Sequence, residues 1–204
     1  MDYITVAGRG EYKTVINKSE FIGYVNRAES EDDALSFIKE IKKKHPDARH
    51  NVYAYVISEN RKRYSDDGEP QGTAGLPLLS AIENNNCIHC VIVVTRYFGG
   101  VLLGTGGLHR AYSEAADGAL KSAGFVTVCD CATFTIRCDY AKYNKICQII
   151  EKLGGTKPEA LFEDKVTIKF AVPQDKAEKA EEDLKEATNN DIIIIRGENA
   201  HIGL

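Results

Sequence analysis

Residues 96 to 112 read Arg-Tyr-Phe-Gly-Gly-Val-Leu-Leu-Gly-Thr-Gly-Gly-Leu-His-Arg-Ala-Tyr, with five glycines between two arginines. The run follows an apolar β stretch, Val91 to Thr95, and leads into a helical pattern. Glycine leaves the backbone bare, and the first turn of a helix carries N–H groups without intrahelical partners. Two guanidinium groups beside such a backbone make the equipment of a phosphate or other anion site. The candidate contacts are Arg96, Gly99, Gly100, Gly104, Thr105, Gly106, Gly107, His109 and Arg110. Thr105 is the expected helix cap and Arg96 the expected bidentate grip. The pattern lacks the GK[ST] of a Walker A loop and is not a Rossmann fingerprint. The same glycines would also serve as a packing device, letting a hairpin and a helix approach closely while Arg96 and Arg110 bridge carbonyls. Both readings stand at this level.

A second cluster runs from Arg61 through Lys62, Arg63, Tyr64 and Ser65 to Asp66-Asp67-Gly68-Glu69-Pro70 and on to Gly75. It is polar and reads as turn-forming throughout. Asp66, Asp67 and Glu69 place three carboxylates within four residues, a composition that suits Mg²⁺ or Ca²⁺. The later ligand positions of an EF-hand are missing, so the expectation is pairing with Arg61, Arg63 or the arginines of the glycine run, with no metal and no cofactor. Arg61 and Arg63 would then flank the anion contact. The two clusters lie on either side of one strand in the sequence, which points to a shared face.

Nucleophilic catalysis finds little support. There is no G-x-S-x-G elbow and no HExxH, and the five histidines are scattered. His109 with Asp66 or Asp67 is the one acid–base pairing the sequence offers, and the alternative reading is an enzyme acting on a phosphorylated or nucleotide ligand, with a divalent metal on Asp66, Asp67 and Glu69 and His109 moving a proton. Six cysteines include Cys87-Ile-His-Cys90 and Cys129-Asp-Cys131. They lie in apolar, strand-like stretches without finger or ribbon spacing, so buried thiols are expected rather than a zinc site.

These residues need elements to hold them. A helix is expected over 31 to 45, with Ser30 as N-cap, acids in its first turn, Lys42 to Lys44 in its last and Pro46 after it. Strands are expected at 21 to 26, 51 to 58 and 88 to 95, the last covered on both faces because it is almost continuously apolar. Pro77 is expected to open a short helix. The helix from Thr105 to Ala123 carries Ala111, Ala115, Ala116 and Ala119 on one side, small enough for close approach to a sheet, and Gly124 ends it. The first half is therefore a three- or four-stranded sheet with two or three helices.

The second half alternates more cleanly. Residues 132 to 138 form a strand, and Asp139 caps a helix bearing Tyr143, Ile146, Cys147, Ile150 and Leu153. Strands follow at 156 to 162 and 165 to 172, then a helix with Ala177, Ala180 and Leu184, then a strand at 192 to 196. The order βαββαβ is the ferredoxin-like plan. Phe134 and Phe170 fall on the core side. Thr133, Thr135, Arg137, Lys165, Thr167 and Lys169 fall on the open side, which thus lacks the aromatics of RNA-recognition sheets and reads as a solvated face. The fold class is α+β in two domains, residues 1 to 126 and 127 to 204, joined without a linker.

Composition excludes several classes. The chain has 204 residues, 43% apolar and 27% charged, with a net charge of −4. That balance is not one of a general nucleic-acid binder, so no DNA contact is expected and any RNA contact is local. No secretory signal and no membrane-length apolar run is visible, so a cytoplasmic protein without a membrane partner is expected.

The run Tyr64 to Gly75, followed by Arg96-Tyr-Phe-Gly-Gly and Leu103-Gly-Thr-Gly-Gly-Leu-His-Arg-Ala-Tyr112, resembles the IMPACT/YigZ family. The likeness in these motifs is spread over about 50 residues, and the layout is similar to the bacterial form along nearly the whole chain. The resemblance implies a first domain like domain 2 of ribosomal protein S5 and a ferredoxin-like second domain like the C-terminal domain of elongation factor G. It implies work linked to RNA, the ribosome or a translation factor. The resemblance implies that eukaryotic members regulate translation by competing, through an additional RWD domain, for an activator of the amino-acid-starvation kinase, and that interaction is not expected here.

Overall fold

The computed structural model describes residues 2–203. The chain divides into two compact units, Tyr3–Val126 and a second that begins at Thr127 and takes in Asp2.

The first unit contains β1 (Tyr3–Val6), β2 (Gly10–Ile16), β3 (Ser19–Arg27), α1 (Glu31–Lys44), β4 (His50–Ser58), β5 (Arg61–Ser65), α2 (Gly75–Asn84), β6 (Cys90–Tyr97) and α3 (Gly104–Ala123). Five strands form an antiparallel sheet in the order β2-β3-β6-β4-β5. The expected count was three or four. The additional strands are the two edges, where solvent beside the strand removes the demand for apolar residues and favours charge. Glu11 and Lys13 on β2, and Arg61 to Arg63 on β5, hide the strand pattern for that reason. Residues 61 to 65 are consequently a strand and not part of the turn.

Alternation on β3, β4 and β6 makes two cores. Phe21, Val25, Val52, Ala54, Ile92 and Val94 pack with residues of α2 and α3. Ile22, Tyr24, Tyr55, Ile57, Val91 and Val93 pack with residues of α1. A strand covered on both faces has no polar face to show, which is why β6 reads as an unbroken apolar run. It extends to Tyr97, so Arg96 is a strand residue and its side chain is fixed by the sheet.

Each helix follows from local chemistry. Ser30 and Asp33 complete a capping box on α1, and Ala34, Phe37, Ile38 and Ile41 are its buried stripe. The alanines of α3 lie against glycines of the sheet: a Cβ on Gly23 would stand 2.3 Å from the Ala115 carbonyl oxygen, and one on Gly10 2.5 Å from that of Ala119. α2 begins at Gly75, two residues before the expected Pro77. Its cap comes from upstream, because Asp66 Oδ1 accepts the N–H groups of Ala74 at 3.1 Å and Gly75 at 2.8 Å.

The chain passes Val126 and Thr127 within one strand, β7 (Phe125–Cys138). It continues through α4 (Tyr143–Lys152), β8 (Glu159–Phe162), β9 (Val166–Pro173), α5 (Ala177–Ala187) and β10 (Ile193–Gly203). The antiparallel order β10-β7-β9-β8 with this connectivity is the ferredoxin-like arrangement. Phe134 and Phe170 stack with centroids 5.3 Å apart in its core. Asp139 makes no capping bond; it faces Lys165 at 3.4 Å, a short 3₁₀ turn intervenes, and α4 starts at Tyr143. β10 runs on to Gly203, well past 196, because its polar second half still pairs with β7.

Candidate functional site

The three acids of residues 66 to 69 face three different sets of partners. Asp66 holds its own loop: besides Ala74 and Gly75, it accepts the N–H of Gly72 at 2.9 Å. Asp67 accepts the Asn51 N–H at 2.7 Å and pairs with Lys42 at 2.9 Å. Glu69, only 8% exposed, takes Arg96 Nη1 at 2.6 Å and the Tyr112 hydroxyl at 2.8 Å, both on Oε1. Among the described residues, no three His, Cys, Asp or Glu side chains are placed to share a metal ion. Pairing is thus the rule, but neither Arg61 nor Arg63 takes part. Both lie exposed on β5, away from the glycine run.

Arg96 is 5% exposed and is built into the wall. Besides Glu69 it reaches Ser19 Oγ at 3.5 Å, and its guanidinium lies over Phe21 at 5.4 Å and Phe98 at 5.5 Å. Its Nε is buried without a partner. Burial, together with the charge of Glu69, pushes the Tyr112 hydroxyl far above the usual phenol range. Tyr112 therefore stays a hydrogen-bond donor and fixes the carboxylate it serves. The expected free grip on a ligand is replaced by a buried ion pair.

The glycines have separate explanations. A Cβ on Gly99 would meet the Lys18 carbonyl carbon at 2.0 Å, and the Gly99 N–H is already given to Ser19 Oγ at 3.1 Å. Gly100 and Gly104 sit at φ +83° and +68°, where a side chain is strained. A Cβ on Gly107 would stand 3.1 Å from the Leu103 Cβ, a tight fit. Gly106 has open space around it and an ordinary φ. Packing thus accounts for part of the motif and leaves Gly106 unexplained.

α3 starts at Gly104, one residue before the expected cap. Leu103 is the N-cap, and no side chain serves the first turn. Thr105 lies inside that turn and does not cap it. The uncapped end opens on a cavity of about 530 Å³ lined by Arg49, His50, Glu69, Pro70, Arg96, Phe98, Leu102, Leu103, Gly104, Thr105 and Leu108. His109 and Arg110 are exposed on α3 and are not among its lining; His109 meets neither Asp66 nor Asp67. Arg49 and His50 carried no signal of their own in the sequence. The register of β4 on β6, which sets His50 opposite Arg96, brings them to the cavity.

The cysteines are all free. Cys87 and Cys90 are buried; the Cys87 thiol donates to the Ile88 carbonyl at 3.8 Å, the neighbouring Cys87 and burial push the Cys90 thiol well above the usual range, and Cys87, beside Cys90, lies below that range.

Residues 17–120 match the Impact N-terminal domain, and residues 136–191 match a domain of unknown function, DUF1949. The chain is 36% identical over 202 residues to IMPACT family member YvyE of Bacillus subtilis (strain 168), covering 98% of this chain and 93% of that protein. The chain belongs to the IMPACT family. A second member, YigZ of Escherichia coli (strain K12), is 32% identical over 162 residues, covering 78% of this chain and 79% of its own. A solved structure described as a hypothetical protein matches 97% of this chain and 98% of its own, with a TM-score of 0.61 at 28% identity. The two matched domains of the family fall one in each structural unit. No helix among the described residues is long and apolar enough to cross a membrane.

Proposed function

We propose that this protein is a translation-associated binding module, not an enzyme, which holds an RNA phosphate at the uncapped N-terminus of α3. The single observation that carries the reading is the open first turn of α3, whose Gly104 and Thr105 line a cavity that also holds Arg49, beside a Gly106 that no packing contact or backbone angle requires. Helix N-termini favour anions through their free N–H groups and the helix dipole. The link to translation rests on membership of the IMPACT family, whose eukaryotic members regulate translation. The alternative of a metal-dependent enzyme is not supported by Asp66, Asp67 and Glu69, whose oxygens point to separate partners.

The test is sedimentation of ribosomes from lysate at low and high salt, together with binding to a short single-stranded RNA. Binding is expected to fall as salt rises, since each phosphate contact releases counterions. Arg49→Ala is expected to lower the slope of log affinity against log salt by about 0.7 for one contact on a single strand. An unchanged slope would remove Arg49 from the site.

A further inference from the structure

The cavity offers more than an anion needs. Glu69 places both of its hydrogen bonds on Oε1; Oε2 receives none and stays open to the cavity that Glu69 lines. His50 Nδ1 lies 2.7 Å from the Asp67 carbonyl oxygen. Of the ring nitrogens only one bearing a proton can satisfy a carbonyl, so Nδ1 carries the proton, and in the tautomer this selects Nε2 is an acceptor. That Nε2 stands 3.8 Å from Glu69 Oε1, on the same side of the cavity. A phosphate alone would gain nothing from these two acceptors and would be repelled by the carboxylate. The ligand that fits carries an anion for α3 and Arg49 and hydrogen-bond donors for Glu69 Oε2 and His50 Nε2.

The donors are neutral N–H groups. Arg96 already balances the charge of Glu69, so an ammonium would bring an uncompensated cation into a largely buried place. The remaining walls are apolar: Pro70, Phe98, Leu102 and Leu108. Phe98 is 48% exposed, with the Arg96 guanidinium over its ring, and an exposed aromatic ring of this kind is a stacking surface for a base. The volume lies in the range of small-ligand clefts, about 300–1,000 Å³, and cannot admit a duplex.

We infer that the occupant is a guanosine monophosphate group, with its phosphate at the first turn of α3 and Arg49, its base on Phe98, and its Watson–Crick edge toward Glu69 Oε2 and His50 Nε2. The inference rests on the anion reading above and adds the base. Guanine presents two adjacent donors on that edge, N1–H and the N2 amino group. Adenine, cytosine and uracil each set a single donor beside an acceptor, so one of the two acceptors, Glu69 Oε2 or His50 Nε2, would be left facing a lone pair. The same chemistry is offered by a free nucleotide and by a guanosine within a single strand.

The test is fluorescence anisotropy of the full chain with labelled pentaribonucleotides UUGUU, UUAUU and UUUUU, with GMP and AMP as competitors. UUGUU is expected to bind at least about tenfold tighter than the other two, the discrimination of one good base-edge pairing. Phe98→Leu is expected to weaken it by about fivefold or more through lost stacking. Glu69→Gln keeps an acceptor for Arg96 and Tyr112 but turns the open oxygen into a donor, and it should abolish the preference for guanine. Should that variant unfold, Phe98→Leu at a half-exposed position still reads the base slot. GMP displacing the strand at comparable concentration assigns the site to a free nucleotide, and displacement only by the strand assigns it to RNA; either supports the inference. Equal affinity for all three strands, with salt dependence retained, overturns the guanine assignment and leaves the phosphate reading standing. No binding of any strand or nucleotide overturns both.

Discussion

The loop from Asp66 to Gly75 and the cavity beside it use the same kinds of side chain in opposite ways. Asp66 has both carboxylate oxygens occupied by backbone N–H groups, and Glu69, three residues on, has one occupied and one open. The histidines divide in the same manner. His45 has both ring nitrogens engaged, by Tyr24 at 2.8 Å and Tyr97 at 2.9 Å, whereas His50 has one engaged and one facing the cavity. Closed networks hold a fold in one shape, since every buried polar group has its partner. An open valence next to a cavity is a demand that something else must meet. Residue type does not separate the two roles; the count of partners does.

The largest expected effect is at the join between the two regions. Arg96→Ala leaves the Glu69 charge buried and unpaired, and the expected loss is about 3–5 kcal/mol in urea unfolding. Adding Glu69→Leu removes the stranded charge and should return part of that stability. A loss below about 1 kcal/mol for Arg96→Ala would mean that Glu69 is well solvated from the cavity side, and the closed half of the pair would not exist as described.

Next comes the closed loop itself. Asp66→Ala removes one charged acceptor from three backbone N–H groups and uncaps α2, an expected cost of about 2–3 kcal/mol. Its effect on RNA affinity, measured where the variant is still folded, should be small. A variant that stays stable but fails to bind would place Asp66 in the open group and break the division.

The division could not be read from the sequence. The glycine run and the acid cluster were legible as one face because both border β6, and the Glu69–Arg96 pair realises that face. What was hidden depended on register. Arg49 and His50 lie more than 40 positions before Arg96 and join no motif, yet β4 pairing sets His50 across from it. Arg61 and Arg63 looked like neighbours of the site because they are close in sequence, but the edge strand β5 carries them away. The strands β2 and β5 were missed because edges tolerate charge, and Thr105 was misplaced as a cap because helix starts shift by a residue without changing any periodic signal. The second domain was legible almost whole, since one buried face and one open face give strict alternation in 132 to 138 and 166 to 172.

Gly106→Asp tests the open region with opposite signs in two measurements. Gly106 has free space around it and no special backbone angle, and a carboxylate in the first turn of a helix is favourable. Thermal stability is expected to rise by about 0.3–1 kcal/mol. RNA affinity is expected to drop, because a negative charge in the same first turn repels the phosphate and competes for the helix N-terminus. Unchanged affinity together with higher stability would show that α3 does not hold the anion.

The smallest effect belongs to the closed histidine. Burial holds the His45 imidazole below its ordinary value, and the charge of Lys44 adds to this while Glu11 and Glu20 oppose it. Because the folded value lies under the unfolded one, the unfolded chain takes up the proton first as pH falls. The contribution of the neutral ring is therefore whole above the ordinary histidine value of about 6.5 and is lost as pH drops through it toward the folded value. His45→Gln keeps a donor and an acceptor for Tyr24 and Tyr97 but cannot titrate. The difference in melting temperature between pH 7.5 and pH 5.5 should be smaller in this variant than in the wild type. If the two differences match, His45 takes its proton in the folded protein as readily as in the unfolded chain, and its two tyrosine bonds do not close the network as the geometry requires.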